Sequence, residues 1–245
     1  MSVHRGGHAS PADVVARVAA VLTAAPQQQL PQQVCDAFAS TLDADGCALS
    51  LIPHTEQALV VHATGIAGPA ELAQFTLADG PTVTASATSR TVLIDDLTHT
   101  TWPIGGCLSD QLPHIRAALA LPVQLGGLCL GTITAYSTHP HHFTPDQADH
   151  ALAAAQLAAA PLADSVTDLL GSHPTATQAT ECWVQVHQAV GYLAAQLHCT
   201  TTDALDLLRA RAFTQNVSLH HLATHILPTH TTNRRPDTEP PPHDE

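Results

Sequence analysis

The sequence predicts an α+β protein, in which an antiparallel sheet flanked by helices is followed by an all-α module of three helices. Short β-prone runs separated by turn residues predict the sheet, and apolar residues at helical spacing on both sides of them predict the flanking helices. From about residue 178 the pattern is helical throughout. We expect a first domain over residues 10–170, a linker over 171–177, a helical domain over 178–230 and a disordered, acidic, proline-rich tail over 231–245.

Near the N-terminus we expect an amphipathic helix and not a signal peptide. Val14, Val18 and Leu22 fall at helical spacing, and Asp13 and Arg17 interrupt the apolar run.

The runs that predict strands combine apolar and β-branched residues. A turn with Pro53 and His54 joins the first two, and the last two flank Gly126 and Gly127, which can supply the positive φ of a tight hairpin. The five runs are Cys47–Ile52, Ala58–Thr64, Thr91–Ile94, Arg116–Val123 and Leu128–Tyr136. Residues 117–136 carry no charge, but the glycine pair divides them into strand-sized pieces, so we expect no membrane span.

A closing helix follows the sheet. Thr144 is placed as its N-cap, Pro145 as its first residue and Gln147 as the partner in a capping box, and the helix should continue to Leu170.

The order and spacing of three segments resemble a GAF domain. These are Leu77-Ala78-Asp79-Gly80-Pro81, then Val92-Leu93-Ile94-Asp95-Asp96-Leu97 with Trp102-Pro103, and finally Arg116-Ala117-Ala118-Leu119-Ala120-Leu121-Pro122-Val123. GAF domains sense small molecules or partners, and many dimerise. The resemblance implies a sensor with an unidentified small-molecule ligand or partner, and a homodimer.

The candidate reactive residues of the first domain are more simply interpreted as structural residues. Asp95 and Asp96 could be paired carboxylates, but they follow a strand directly, where acidic residues usually end a sheet in solvent. Cys107 could be a reactive thiol or an attachment point, as in some photosensory GAF domains, but no activating group is identifiable beside it. Because no set of nucleophile, base and orienting residue is visible, we expect neither an enzyme nor a cofactor.

The chain has 18 histidines, so pairs at ligand spacing are expected by chance. His139, His141 and His142 form one group, and His221 and His225 stand four apart on a helix. No Cys pair accompanies either group, and we expect no metal site.

The C-terminal third predicts three helices. Thr200 with Asp203 marks the start of the second helix, and Ser218 caps the third. The apolar positions are Trp183, Val186, Val190, Leu193 and Leu197 in the first helix, Ala204, Leu205, Leu208 and Ala212 in the second, and Leu219, Leu222, Ala223 and Ile226 in the third. The first series suits a core or a coiled coil.

This region resembles an ANTAR domain. The matching segments are Val186-His187-Gln188-Ala189-Val190-Gly191-Tyr192-Leu193-Ala194-Ala195-Gln196-Leu197, Thr200 to Ala204, and Leu207-Leu208-Arg209-Ala210-Arg211-Ala212-Phe213, with Leu219 and Leu222-Ala223. ANTAR modules bind paired RNA hairpins and prevent transcription termination, and a GAF domain is known to precede them. The resemblance implies RNA, as hairpin loops in nascent transcripts, as the partner.

Most of the positions to which the pattern of this family transfers are expected to be packing residues; they are Gln188, Ala189, Gly191, Ala204, Arg209, Ala212, Leu219 and Ala223. The candidate RNA-binding residues are Gln188, Gly191, Arg209, Arg211 and, more weakly, His187. Arginine can pair with phosphate in a fork or stack on an unpaired base. Arg209 is equally compatible with an exposed helix charge or an ion pair with Asp206. His198 stands where relatives usually have glycine, which costs about 1 kcal/mol if the backbone is left-handed there.

Charge confines any RNA contact to the module. Residues 1–177 carry 4 Arg against 14 acidic residues, a net of −10, whereas residues 178–235 carry 4 Arg against 3, a net of +1. Because phosphate neutralisation supplies most non-specific affinity, +1 is low, and a dimer would double the basic surface.

We therefore expect an antiterminator, a cytoplasmic RNA-binding regulator of transcription termination whose six cysteines are reduced thiols. Ligand sensing would change the geometry of the two helices on either side of the linker. The alternative is a signalling regulator whose helical module docks on a protein partner. DNA recognition is disfavoured because the third helix has no arginine to read base edges.

Overall fold

A computed structural model describes residues 13–51, 59–99, 114–171, 178–215 and 217–227. Within these ranges the chain forms eight α-helices and five β-strands. The helices are α1 (Asp13–Ala24), α2 (Leu30–Thr41), α3 (Ala67–Leu77), α4 (Pro81–Thr88), α5 (Pro145–Gly171), α6 (Gln178–Leu197), α7 (Thr201–Gln215) and α8 (Leu219–Ile226). The strands are β1 (Gly46–Leu51), β2 (Leu59–Ala63), β3 (Val92–Ile94), β4 (Ala117–Leu125) and β5 (Leu128–Ser137).

The strands form one antiparallel sheet in the order β2-β1-β5-β4-β3. In the β4–β5 hairpin, Gly126 and Gly127 have φ values of 59° and 84°, which a residue with a side chain rarely adopts. The five predicted strands and the α+β class are thereby confirmed. The uncharged stretch forms this hairpin, and no described helix is long and apolar enough to cross a membrane.

One face of the sheet carries the main apolar core. Helices α2 and α5 cover this face, and α1 packs against both of these helices with its own apolar stripe. The largest side chains of this core include Phe38, Leu49, Leu119 and Leu162.

The predicted start of α5 is confirmed in detail. The Thr144 amide donates to Gln147 Oε1 at 2.8 Å, and the Gln147 amide donates to Thr144 Oγ1 at 3.2 Å, which is a reciprocal capping box. The amphipathic helix near the N-terminus is also present as α1, with Val14 and Val18 buried.

Helices α3 and α4 lie on the opposite face of the sheet, and the sequence pattern did not predict them. Six of the eleven residues of α3 are buried, among them Glu71 and Gln74, so its inward side is partly polar. A helix that is apolar on several sides and polar on its buried side shows no amphipathic period. Pro81, the first residue of α4 after Gly80, was the available signal for that helix.

Helices α6, α7 and α8 pack around one apolar cluster, as predicted. Its buried members from the module are Val186, Ala189, Val190, Leu193, Ala204, Leu205, Leu208, Ala212, Leu219, Leu222 and Ala223. Leu197 was wrongly placed in the apolar seam, because this last residue of α6 is 51% exposed. Two residues of the first domain, Val60 on the edge strand β2 and Phe75 on α3, belong to the same cluster.

The predicted caps of the module are confirmed. The Asp203 amide donates to Thr200 Oγ1 at 3.1 Å, and the His221 amide donates to Ser218 Oγ at 3.1 Å. His198, after the end of α6, has a φ of 52°, and the Cys199 amide donates to the Ala194 carbonyl at 3.2 Å. This left-handed ending is the geometry that favours glycine.

Several sequence expectations lie outside the described residues. They concern the turn with Pro53 and His54, Trp102-Pro103, Cys107, the linker beyond Gly171 and the tail over 231–245.

Candidate functional site

A cluster of buried polar side chains lies between the sheet and the α3 and α4 helices. Its centre is the carboxyl group of Glu71, whose side chain is 3% exposed. Ser50 Oγ donates to Glu71 Oε2 at 2.7 Å, while Thr82 Oγ1 and the Tyr136 hydroxyl donate to Glu71 Oε1 at 2.7 and 2.5 Å. These partners come from β1, α4 and β5, so the carboxyl group joins three elements.

Gln74, one turn after Glu71, extends the cluster. Its Nε2 donates to the Tyr136 hydroxyl at 2.5 Å, and its Oε1 accepts from the Thr82 amide at 2.8 Å. The side chain passes directly over Gly80, where an added Cβ would lie 2.4 Å from Gln74 Cγ. Gly80 is therefore required both by its φ of 136° and by the space that Gln74 occupies.

Burial sets the protonation of this cluster. Removal from water raises the pKa of Glu71, and the hydroxyl donors oppose that change only in part. Burial, with the neighbouring carboxyl group, raises the pKa of Tyr136 well above its usual value. Thr132 Oγ1, on the same face of β5, is buried and has no hydrogen-bond partner among the described residues. The cluster thus holds exchangeable hydroxyl and carboxyl hydrogen bonds in a dry environment.

The candidate RNA-binding residues are divided between two environments. Arg209, on α7, lies against α3 of the first domain and its side chain is 20% exposed. Its Nε donates to the Phe75 carbonyl at 2.9 Å, and its guanidinium carbon lies 4.8 Å from the centroid of the Phe75 ring. Its Nη1 also donates to Asp206 Oδ1 at 3.2 Å, so the ion pair considered from the sequence is present.

His187, on α6, lies against the same aromatic ring. The two ring centroids are 6.1 Å apart, in an edge-to-face arrangement. Burial lowers the pKa of His187, and burial likewise lowers the pKa of Arg209, although Asp206 opposes the change at the arginine.

The other three candidates are exposed. Gln188 and Gly191 lie three residues apart on one side of α6, and Arg211 lies on α7. A Cβ added to Gly191 would meet no atom of a described residue within 4 Å, so the small residue does not serve close packing against the described helices. Arg209 and Arg211 are two residues apart on one helix and therefore point about 200° apart around its axis. The structure consequently does not bring the two arginines together.

Asp95 and Asp96 do not form a carboxylate pair. Asp95 is exposed, whereas Asp96 receives a forked hydrogen bond from Arg116, from Nε at 3.0 Å and from Nη2 at 2.6 Å. The Arg116 guanidinium holds the pKa of Asp96 well below its ordinary value. This pair joins the end of β3 to the start of β4 and is structural.

The histidine groups are arranged as ring contacts. The centroids of His221 and His225 are 4.6 Å apart, and those of His139 and His142 are 6.5 Å apart. Among the described residues, no group of three or more His, Cys, Asp or Glu side chains could hold a metal ion. Cys35, Cys47, Cys129 and Cys199 are free thiols.

The first domain is an antiparallel sheet with helices on both faces and a polar cluster beneath α3 and α4. Residues 27–162, more than half of the chain, match the model of the GAF domain. The chain therefore belongs to the GAF domain family. Residues 176–227, which contain the three-helix module, match the model of the ANTAR domain. The combination of a GAF domain and an ANTAR domain marks the protein as a regulator.

Solved structures show the same fold. The GAF domain from an Acinetobacter phosphoenolpyruvate-protein phosphotransferase is 13% identical, has a TM-score of 0.51, and covers 69% of this chain and 98% of its own. The free methionine-R-sulfoxide reductase from Neisseria meningitidis, in complex with its substrate, is 15% identical with a TM-score of 0.52, over 69% of this chain and 97% of its own. The GAF domain of the corresponding phosphotransferase from Coxiella burnetii is 16% identical with a TM-score of 0.51, over 64% and 95%. No curated protein sequence matches the chain.

Proposed function

We propose that this protein is an antiterminator, which binds RNA hairpin loops in nascent transcripts through its C-terminal module and is controlled by a signal at its GAF domain. The observation that carries the proposal is the ANTAR match over residues 176–227, together with the exposure of Gln188, Gly191 and Arg211 in that module. Exposed amide and guanidinium groups on helices are suited to unpaired bases and to phosphate.

The signal would act at the polar cluster around Glu71. A ligand that offers hydrogen-bonding groups can compete for the hydroxyls that Glu71 and Gln74 now engage, and it shifts the protein only if it binds one arrangement better than the other. The GAF domain is assigned here to sensing and not to catalysis, although a reductase shares its fold.

A homodimer is part of the proposal. One module has a net charge of +1, counted from 4 Arg and 3 acidic residues over 178–235, which is small for an RNA-binding protein. Two copies would present two modules to the two hairpins of one transcript, and the second contact would be made at high local concentration.

The test is binding of the full chain to a labelled RNA with two hexaloop hairpins, measured by fluorescence anisotropy at low and moderate salt. Arg211→Ala should weaken binding severalfold and reduce the salt slope by about 1, because one phosphate-neutralising charge is lost. Arg90→Ala is the matched control, since Arg90 is equally exposed but lies in the first domain. Equal affinities for the wild type, Arg211→Ala and Arg90→Ala would contradict the proposal.

A second function is favoured by exposed apolar residues of the module. Phe213 is 68% exposed and Leu197 is 51% exposed, and large apolar side chains of this kind can anchor a protein partner. If Phe213→Ala abolishes retention of a partner from lysate that ribonuclease treatment does not remove, the protein-interaction function is supported instead.

A further inference from the structure

The module is held on the GAF domain by contacts that use an RNA-binding candidate. Arg209 approaches Phe75 in two ways at once, through a hydrogen bond from Nε to the carbonyl and through its guanidinium plane over the ring. His187 contacts the edge of that same ring. Phe75 is only 4% exposed, because helices α6 and α7 cover it.

The surrounding contact is apolar. Val60 from β2 and Phe75 from α3 are buried in the cluster that forms the core of the module, and Ala63 and Leu72 pack beside them. Separation of the two parts would expose this surface to water, so the docked arrangement is favoured when nothing else is bound.

The contacts of Arg209 compete with RNA. A guanidinium group recognises RNA by donating from its fork to phosphate or by stacking its plane on a base. In the docked arrangement Nε and Nη1 already donate to Phe75 and Asp206, and one side of the plane lies on the ring. The Nε donor and the covered side of the guanidinium plane are therefore not free to contact RNA in the docked arrangement.

We infer that docking of the module on α3 is an autoinhibited state, in which Phe75 withholds Arg209 and His187 from RNA until the module moves away from that helix. This inference rests on the proposed RNA function and adds its regulation. Arg211, Gln188 and Gly191 stay accessible in the docked state and account for a weak basal affinity.

The polar cluster and the contact with Arg209 share helix α3. Glu71 and Gln74 belong to the polar cluster, and Phe75 is the next residue on the same helix. A ligand that changes the hydrogen bonds of Glu71 or Gln74 acts directly on α3, and a rotation or shift of this helix would displace both the carbonyl and the ring of Phe75. Sensing is therefore coupled to release of Arg209 through one helix.

The decisive experiment measures RNA affinity of the full chain for four variants. Phe75→Leu keeps an apolar side chain but removes the ring, and it should tighten binding of the two-hairpin RNA by about threefold to tenfold, as expected for loss of a cation–π contact. The gain should need the guanidinium group of Arg209, so the double variant Phe75→Leu with Arg209→Ala should bind the RNA no more tightly than Arg209→Ala alone. The matched control is Phe38→Leu, because Phe38 is also buried but belongs to the main core, a cluster that contains no described residue of the module.

Hydrogen exchange on the wild-type chain provides a second measurement that needs no substitution. RNA should accelerate amide exchange in residues 72–78, since release of the module uncovers the end of α3. If RNA binds in an Arg211-dependent manner but neither Phe75→Leu nor exchange at residues 72–78 responds, autoinhibition is wrong and the RNA function stands. If no variant binds RNA, both fail.

Discussion

The GAF domain and the ANTAR module of this chain have cores of different chemistry. Among the described residues, the polar residues that are almost completely buried all belong to the first domain, and the group around Glu71 includes Ser50, Gln74, Thr82 and Thr134. The core of the module is built from apolar side chains such as Leu208 and Leu219. A polar core can exchange partners with a ligand, whereas an apolar core keeps one packing arrangement. The difference is consistent with the proposed division of roles, with sensing in the first region and a fixed binding surface in the second.

The largest expected effect tests the apolar core. Leu208 is completely buried at the centre of the module, so Leu208→Ala should lower the free energy of unfolding by about 3 kcal/mol through lost burial and a cavity. The loss should be the same from pH 5 to pH 8, because the side chain does not titrate. Urea denaturation at several pH values measures it, and a loss that varied with pH would show that the two cores are coupled.

A smaller effect, dependent on pH, tests the polar core. The folded pKa of Glu71 is raised by burial, so the native chain keeps this proton to a higher pH than the unfolded chain does. Stability from this group is therefore present in full below the ordinary glutamate pKa and is lost as pH rises through the raised value. As pH rises from the ordinary glutamate pKa through the raised pKa of Glu71, Glu71→Gln should become more stable relative to the wild type, because glutamine carries no proton to lose. Parallel curves for the two proteins, measured by urea denaturation from pH 4 to pH 8, would contradict the assignment.

The left-handed ending of α6 predicts a gain. Since His198 has a φ of 52°, His198→Gly should stabilise the module by about 1 kcal/mol, as the strain of a side chain in that region is removed. Thermal unfolding followed by circular dichroism measures the change. Ala194→Gly, inside the same helix, serves as the opposite control and should destabilise by a similar amount.

The smallest expected effect concerns Gly191. Within the described part of the chain a methyl group there meets no atom closer than 4 Å, so Gly191→Ala should stabilise α6 by about 0.5–1 kcal/mol through its higher helix propensity. If the exposed side of α6 contacts RNA, the same substitution should weaken RNA binding while it raises stability. Gains in both measurements would remove Gly191 from the candidate interface.

The sequence predicted most of the local structure correctly. Five strands, the capping boxes at Thr144 and Thr200 and the cap at Ser218 were all predicted from residues that are neighbours along the chain. Such signals depend on short-range geometry, which the sequence records directly. The left-handed backbone, which was expected to make His198 unfavourable by about 1 kcal/mol, is present directly after the last residue of α6.

The candidate site was predicted less completely. Arg209, Arg211, Gln188, Gly191 and His187 were selected from the resemblance to a family, and their participation in RNA binding remains a prediction. Helix α3 escaped detection because its buried side is partly polar, and the cluster around Glu71 escaped with it. Gly80 followed by Pro81 was the signal that could have located this region.

The sequence by itself determined where helices and strands begin, which of their faces are apolar and which families the two parts resemble. Only the tertiary structure decided that Arg209 meets Phe75, 134 positions away, and that Glu71 is enclosed by residues from three elements. The physical reason is that periodicity and capping act over a few residues. Burial, by contrast, depends on which distant surfaces exclude water together, and that is settled only when the two parts of the chain are packed.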